Sequence, residues 1–210
     1  MSERPTHLPW LLAASLAAAV WAVLVHLNPS GSWALQKVFC AGWLALAWKA
    51  LGPGERLRVR PTLREVLLGV GVGVGMVAIS AGLTWSVCVG SELALCAPAK
   101  TLAARAAEVQ VGSMVGIGLI IVPAEELFWH GAVHGALRPR VGRAGSAALS
   151  TALLSLSYLG VGEWELALVV LPTFLVWGLL TEWRRNLVSA CVSHALWTLS
   201  MIPLMARAFG

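Results

Sequence analysis

The chain has 210 residues, of which 58% are hydrophobic and only 12% charged. A soluble domain carries about twice that share of charge and cannot bury so much apolar surface, so a soluble enzyme and a disordered chain are both excluded. All ten acidic residues are glutamates, which removes aspartyl-dyad proteolysis and aspartate-based metal motifs.

Seven stretches come close to the roughly 20 apolar residues a membrane helix needs: 10–27, 32–51, 66–90, 111–137, 145–160, 165–181 and 187–206. The predicted fold is therefore all-α, a polytopic membrane protein of about seven transmembrane helices. The first stretch is expected to be a retained span and not a cleaved leader, because its apolar run is long and six more follow. In the third, Gly69/Gly73 and Gly71/Gly75 have small-xxx-small spacing, which predicts close helix contact. The long segment 91–110 is expected to form a short amphipathic surface helix. Nearby, Cys88 and Cys96 are expected as free thiols, with a disulfide as the alternative in an oxidising compartment.

The net charge of +5 does not point to nucleic acid, because the basic residues sit in linkers. Arg4, then Lys49, Arg56, Arg58, Arg60 and Arg64, then Arg138, Arg140 and Arg143, then Arg184 and Arg185 make eleven of the fifteen, all on one set of alternating loops. The positive-inside rule then puts the N-terminus in the cytoplasm and the C-terminus outside. Usage rich in Ala, Gly and Arg suggests a GC-rich bacterium, hence its plasma membrane.

The fourth stretch carries the chemistry. It reads Val122-Pro123-Ala124-Glu125-Glu126-Leu127-Phe128-Trp129-His130-Gly131-Ala132-Val133-His134. Ionisable groups deep in a membrane are costly and mark function. Pro123 removes a backbone donor, which predicts a kink just before the glutamates. Glu126, His130 and His134 recur every fourth residue and form one polar stripe, with Glu125 turned about 100° away. One carboxyl could serve as acid and the other as base, or the two could hold a water. His194, about 12 Å deep in the last stretch, is the other strongly titratable group at similar depth. HExxH and GxSxG are absent. Ser155, Ser157 and Ser193 are read as interhelical hydrogen-bonding residues.

These residues resemble a known family. EELFWHG at Glu125–Gly131 is similar to the EExxxR motif of the CAAX-protease and bacteriocin-processing (CPBP) intramembrane endopeptidases. Leu154–Tyr158 aligns with the second motif, FxxxH, and His194–Thr198 with the third, HxxxN or HxxxD. The stretch Gly178–Leu187 resembles what precedes that third motif. The departures are His130 for the motif arginine, Leu154 and Tyr158 for Phe and His, and Thr198 for Asn or Asp.

The resemblance divides the single membrane domain, 1–210, into accessory spans 1–110 and a CPBP-like core 111–206. It implies an endopeptidase that cuts a membrane-anchored or lipidated polypeptide with glutamate-activated water. Glu125 would be the base and Glu126 would pair with His130. His194 would orient water or bind the oxyanion, assisted by Tyr158 and Thr198, with His134 supporting. Metal use stays open: a divalent-metal and a metal-free mechanism both fit, and zinc would need Glu125 and His194 with His130 or His134. The alternative is a non-catalytic relative acting as immunity, scaffold or substrate-binding membrane protein. A proton-coupled transporter is a further one.

Overall fold

The computed structural model describes residues 59–160 and 162–209, with residues 16, 19, 20, 23, 40, 42, 44 and 48. The predicted spans 10–27 and 32–51 therefore lie outside the described residues, apart from those scattered positions. The described elements are helical. They are α1 (Leu63–Cys88), a 3-10 turn (Ala94–Cys96), α2 (Ala97–Ala107), α3 (Val111–Gly160), α4 (Trp164–Arg184) and α5 (Val188–Phe209). Four of these, α1, α3, α4 and α5, are long and apolar enough to cross a membrane.

The fourth and fifth predicted spans are one 50-residue helix. The expected linker at Arg138–Arg143 is helical, and the break falls on a single residue, Gly142, at φ 73° and ψ −174°. That conformation is open only to glycine. A straight helix of this length would run about 75 Å, more than twice the hydrocarbon thickness. The bend instead lets both arms contribute to one core, in which Val122, Trp129 and Val133 cluster with Leu154 and Tyr158.

Local sequence explains the ends. Thr62 caps α1, its hydroxyl accepting from the Glu65 amide at 3.3 Å, in a T-x-x-E pattern. Pro98 sits in the first turn of α2, where its missing N–H costs nothing. α4 ends on left-handed Arg185, and the Asn186 side chain then accepts from the Val188 amide to start α5.

The first arm of α3 is central. From Ile121 to Val133 all but Pro123 and Ala132 are buried, as expected for a helix apolar on every side. α1 is peripheral: only Glu65, Gly69, Gly73 and Cys88 are buried, while Leu67, Val74, Ile79 and Leu83 face outward. It packs on α5 through half of its glycine pattern. A methyl at Gly69 would lie 2.7 Å from the Ser189 carbonyl oxygen, and one at Gly73 would lie 2.9 Å from Leu196. Gly71 and Gly75 face open space. Gly69→Ala is expected to cost about 1–3 kcal/mol by overpacking, read as a lower unfolding midpoint in detergent. Gly71→Ala is the control, and equal effects of the two would contradict this packing.

Segment 91–110 does hold a helix, but α2 packs on α5 and touches α4 instead of lying free on the surface. Arg105 pairs with Glu163 there. Cys88 and Cys96 form a disulfide, with Cα atoms 5.3 Å apart; the expectation of free thiols is corrected. The turn at Gly90, with φ 72°, brings the two cysteines together. Ion pairs at the opposite end of the bundle join Glu65 to Arg184 and Glu182 to Arg138 and Arg143. The arginine-rich ends thus share one side of the molecule and the disulfide the other.

Candidate active site

Around the glutamates the central helix widens. Ile117–Ile121 and Glu126–Val133 are π-helical, separated by the short α-helical Val122–Glu125. Pro123 has no N–H to give to the preceding turn, and the ladder shifts to longer i→i+5 bonds on either side. The kink expected at Pro123 is thus realised as two wide turns. π-turns of this kind recur at functional sites.

Glu126 is the hub, with no solvent exposure. His130 Nδ1–H donates to its Oε2 at 2.7 Å. His194 Nδ1–H, from α5, donates to its Oε1 at 2.9 Å. One carboxylate therefore ties two helices and fixes two imidazoles with Nε2 pointing away. His194 Nε2 lies 3.9 Å from Glu125 Oε2, so His194 stands between the two carboxylates. That gap is too long for a direct hydrogen bond and has the width that a small oxygen-bearing group fills.

α4 supplies the walls. Trp177 stacks on His194 at 3.8 Å between ring centroids, 18° from parallel. Its indole N–H donates to Ser193 Oγ at 3.1 Å. Phe174 meets His130 at 5.4 Å and His194 at 5.3 Å. Gly178 admits the His130 ring, since a methyl there would stand 3.2 Å from Nε2. Beside Pro123 and Leu127 lies an apolar cavity of about 460 Å³, lined also by Leu44, Trp48, Leu187 and Cys191.

The structure thus brings Glu125, Glu126, His130 and His194 together. His134 is elsewhere, its Nε2 at 3.3 Å from the Arg143 carbonyl oxygen and 3.7 Å from Glu182. Thr198 sits one turn beyond His194, half-buried. Tyr158 is buried in the last turn of α3. It stands about 16 Å of helix beyond Ala147, the residue that shares Gly178's contact layer with His130. Among the serines, Ser193 does bond between helices. Ser157 bonds back to the Leu154 carbonyl of its own helix, which corrects its interhelical reading. Sequence reasoning missed Phe174 and Trp177 as site residues. Their signal was weak: Val170, Phe174, Trp177 and Thr181 fall at helical spacing on one face, like any core stripe.

The donor set does not close around a cation. Both oxygens of Glu126 are occupied by imidazole N–H groups. That leaves Glu125 and His194 Nε2 facing one another, one ligand short of a three-ligand catalytic zinc site. Among the described residues no group of three His, Cys, Asp or Glu side chains is placed to bind a metal.

Apolar spanning helices around a buried glutamate pair define an integral membrane protein with a polar centre in its interior. Residues 107–200 match the family of type II CAAX prenyl endopeptidase Rce1-like proteins, and by that segment the chain is a member of the CPBP family of membrane proteases. No curated protein matches the chain, and no solved structure does.

Proposed function

We propose that the protein is an intramembrane endopeptidase of the glutamate type, acting on a membrane-anchored polypeptide. The observation that carries this reading is His194 set between the two carboxylates, its Nδ1–H held by Glu126 and its Nε2 facing Glu125.

In this reading a water sits in the gap between Glu125 and His194. Glu125 takes one of its protons as the oxygen attacks the scissile carbonyl carbon. His194 Nε2 orients that water and, once protonated, donates to the oxyanion. Glu126 holds the ring and balances the imidazolium, as the carboxylate of a catalytic triad does for its histidine. Glu125 then gives its proton to the amine nitrogen as the C–N bond breaks. The Pro123–Leu127–Cys191 cavity beside the pair would receive an apolar part of the substrate. Phe174 and Trp177 keep bulk water off the imidazoles.

The test is cleavage of quenched-fluorophore peptides carrying a lipid or apolar anchor by the purified full chain in nanodiscs. Turnover with the wild type and none with a Glu125 variant supports the reading. Tight binding without turnover would instead favour a non-catalytic relative, a reading that rests on His130 where the family has arginine. The level of Tyr158 in the bundle argues for a packing role. Tyr158→Phe is therefore expected to leave cleavage within a few-fold, whereas a loss of about 10²–10³-fold would make its hydroxyl an oxyanion donor.

The orientation follows from the charges. Arg138, Arg140, Arg143, Arg184 and Arg185 gather at the end away from the disulfide, which favours a cytoplasmic arginine face and an oxidising outer side. The membrane of this reading is the bacterial plasma membrane. A cysteine introduced by Arg140→Cys should react with an impermeant maleimide only after the cells are opened. Labelling in intact cells would reverse the topology.

A further inference from the structure

His130 uses one nitrogen on Glu126, and the other has no role in the proposed hydrolysis. That atom, Nε2, is fully buried and lacks a hydrogen-bond partner among the described residues, and so is the hydroxyl of Thr181. The two lie on facing elements. The His130 ring rests on Gly178, and Thr181 follows three residues later on α4, on the same face. The next residue, Glu182, is also buried. Its Oε1 is 3.7 Å from His134 Nε2. Its Oε2 is 3.5 Å from Arg138 Nε and 3.8 Å from Arg143 Nε. The Arg143 side chain is 56% exposed, so this end of the cluster reaches the surface. The rings of His130 and His134 are 6.3 Å apart.

We infer that Glu182, His134, Thr181 and His130 form a proton path from the arginine-rich face to Glu126, about 12 Å along the central helix. A proton on Glu182 passes to His134 Nε2. His134 releases the proton of its other nitrogen, and the Thr181 hydroxyl hands one on to His130 Nε2, alone or with a water. His130 then gives its Nδ1 proton to Glu126 Oε2. Each imidazole and the hydroxyl gain one proton and lose one. The net change is one proton moved from Glu182 to Glu126, and the reverse order returns it. Arg138 and Arg143 set the field at the entrance. Glu125 and, from α5, His194 are the other titratable groups at its inner end. The path stands on its own geometry. Its use, resetting the carboxylate–imidazole centre after each turnover, rests on the hydrolysis proposed above.

The test needs no substrate. With nitrogen-15 histidine in the full chain in detergent micelles, exchange of imidazole N–H protons with water is measured for the wild type, Thr181→Val and Glu182→Gln. Exchange at His130 should slow on the order of tenfold or more in both variants, as expected when a proton-transfer partner is removed, with His194 unchanged. Unaltered exchange at His130 in Thr181→Val overturns the path. Equal slowing at His194 also overturns it, since that reports a change in overall opening. If Glu182→Gln does not fold, Thr181→Val, which keeps the shape, decides alone. An inactive protein with the expected exchange pattern would sink the hydrolysis reading and support the path.

Discussion

Glu125→Gln is expected to reduce cleavage of an anchored peptide by about 10²–10⁴-fold, the usual loss when a general base is removed, while leaving the protein folded in the membrane. Both halves follow from the geometry. Glu125 faces the His194 Nε2 across 3.9 Å, where a glutamine amide keeps the shape but cannot accept a proton from water. It does not hold the helices together, because both imidazole N–H bonds go to Glu126. Initial rates with an anchored quenched peptide, alongside the unfolding midpoint, check this. A Glu125→Gln protein that cleaves at the wild-type rate would remove Glu125 from the chemistry. One that is unfolded would make it structural.

Glu126 should behave in the opposite way. Its carboxylate accepts from two imidazoles on two helices with no solvent exposure. Breaking a buried pair by removing one partner costs about 3–5 kcal/mol, because the group left behind has neither its partner nor water. Glutamine offers one acceptor and one donor, so one histidine would face an N–H with its own N–H and must change tautomer. Glu126→Gln is therefore expected to lower the unfolding midpoint clearly, and to lose activity as His194 loses its fixed tautomer. Thermal or denaturant unfolding of the two variants side by side gives the contrast. A Glu126→Gln protein as stable as wild type would mean that the hub does not join α3 to α5.

Which residues carry the polar centre was readable from the sequence; how they are arranged was only partly so. Two adjacent glutamates in an apolar run cannot be there for packing alone, and the i, i+4 step to His130 set their pairing on any helical geometry. His194 could be matched in depth by counting from the arginine-rich end, because helical rise is nearly constant. The widening on either side of Pro123 could not be read, since a proline announces a missing hydrogen bond and not the way the ladder repairs it. Nor could the role of α4. Phe174, Trp177 and Gly178 carry no charge, and only the helix crossing makes one of them a lid on an imidazole and another the space for one. The bend within α3 illustrates the same limit: Gly142 lies in an arginine-rich stretch that reads as a loop, yet stays helical up to that residue. The glycines of α1 were legible as contact residues but not as to which pair makes contact, because a helix face acquires a partner only through the tertiary fold.

The π-turns have a bearing on how this segment tolerates change in length. A π-turn holds one more residue than the α-turn it replaces, so Glu126–Val133 contains slack that a tight helix lacks. Removing one residue there would let the ladder relax to α-geometry without breaking the helix. It would also turn everything after the deletion by about 100° relative to Glu126. Such a shortened protein would still fill its membrane helix, but His134 would leave the side of the bundle on which Glu182 stands. In comparisons with relatives, a one-residue gap in this stretch is thus better read as a rotation of the cytoplasmic end than as the loss of a turn.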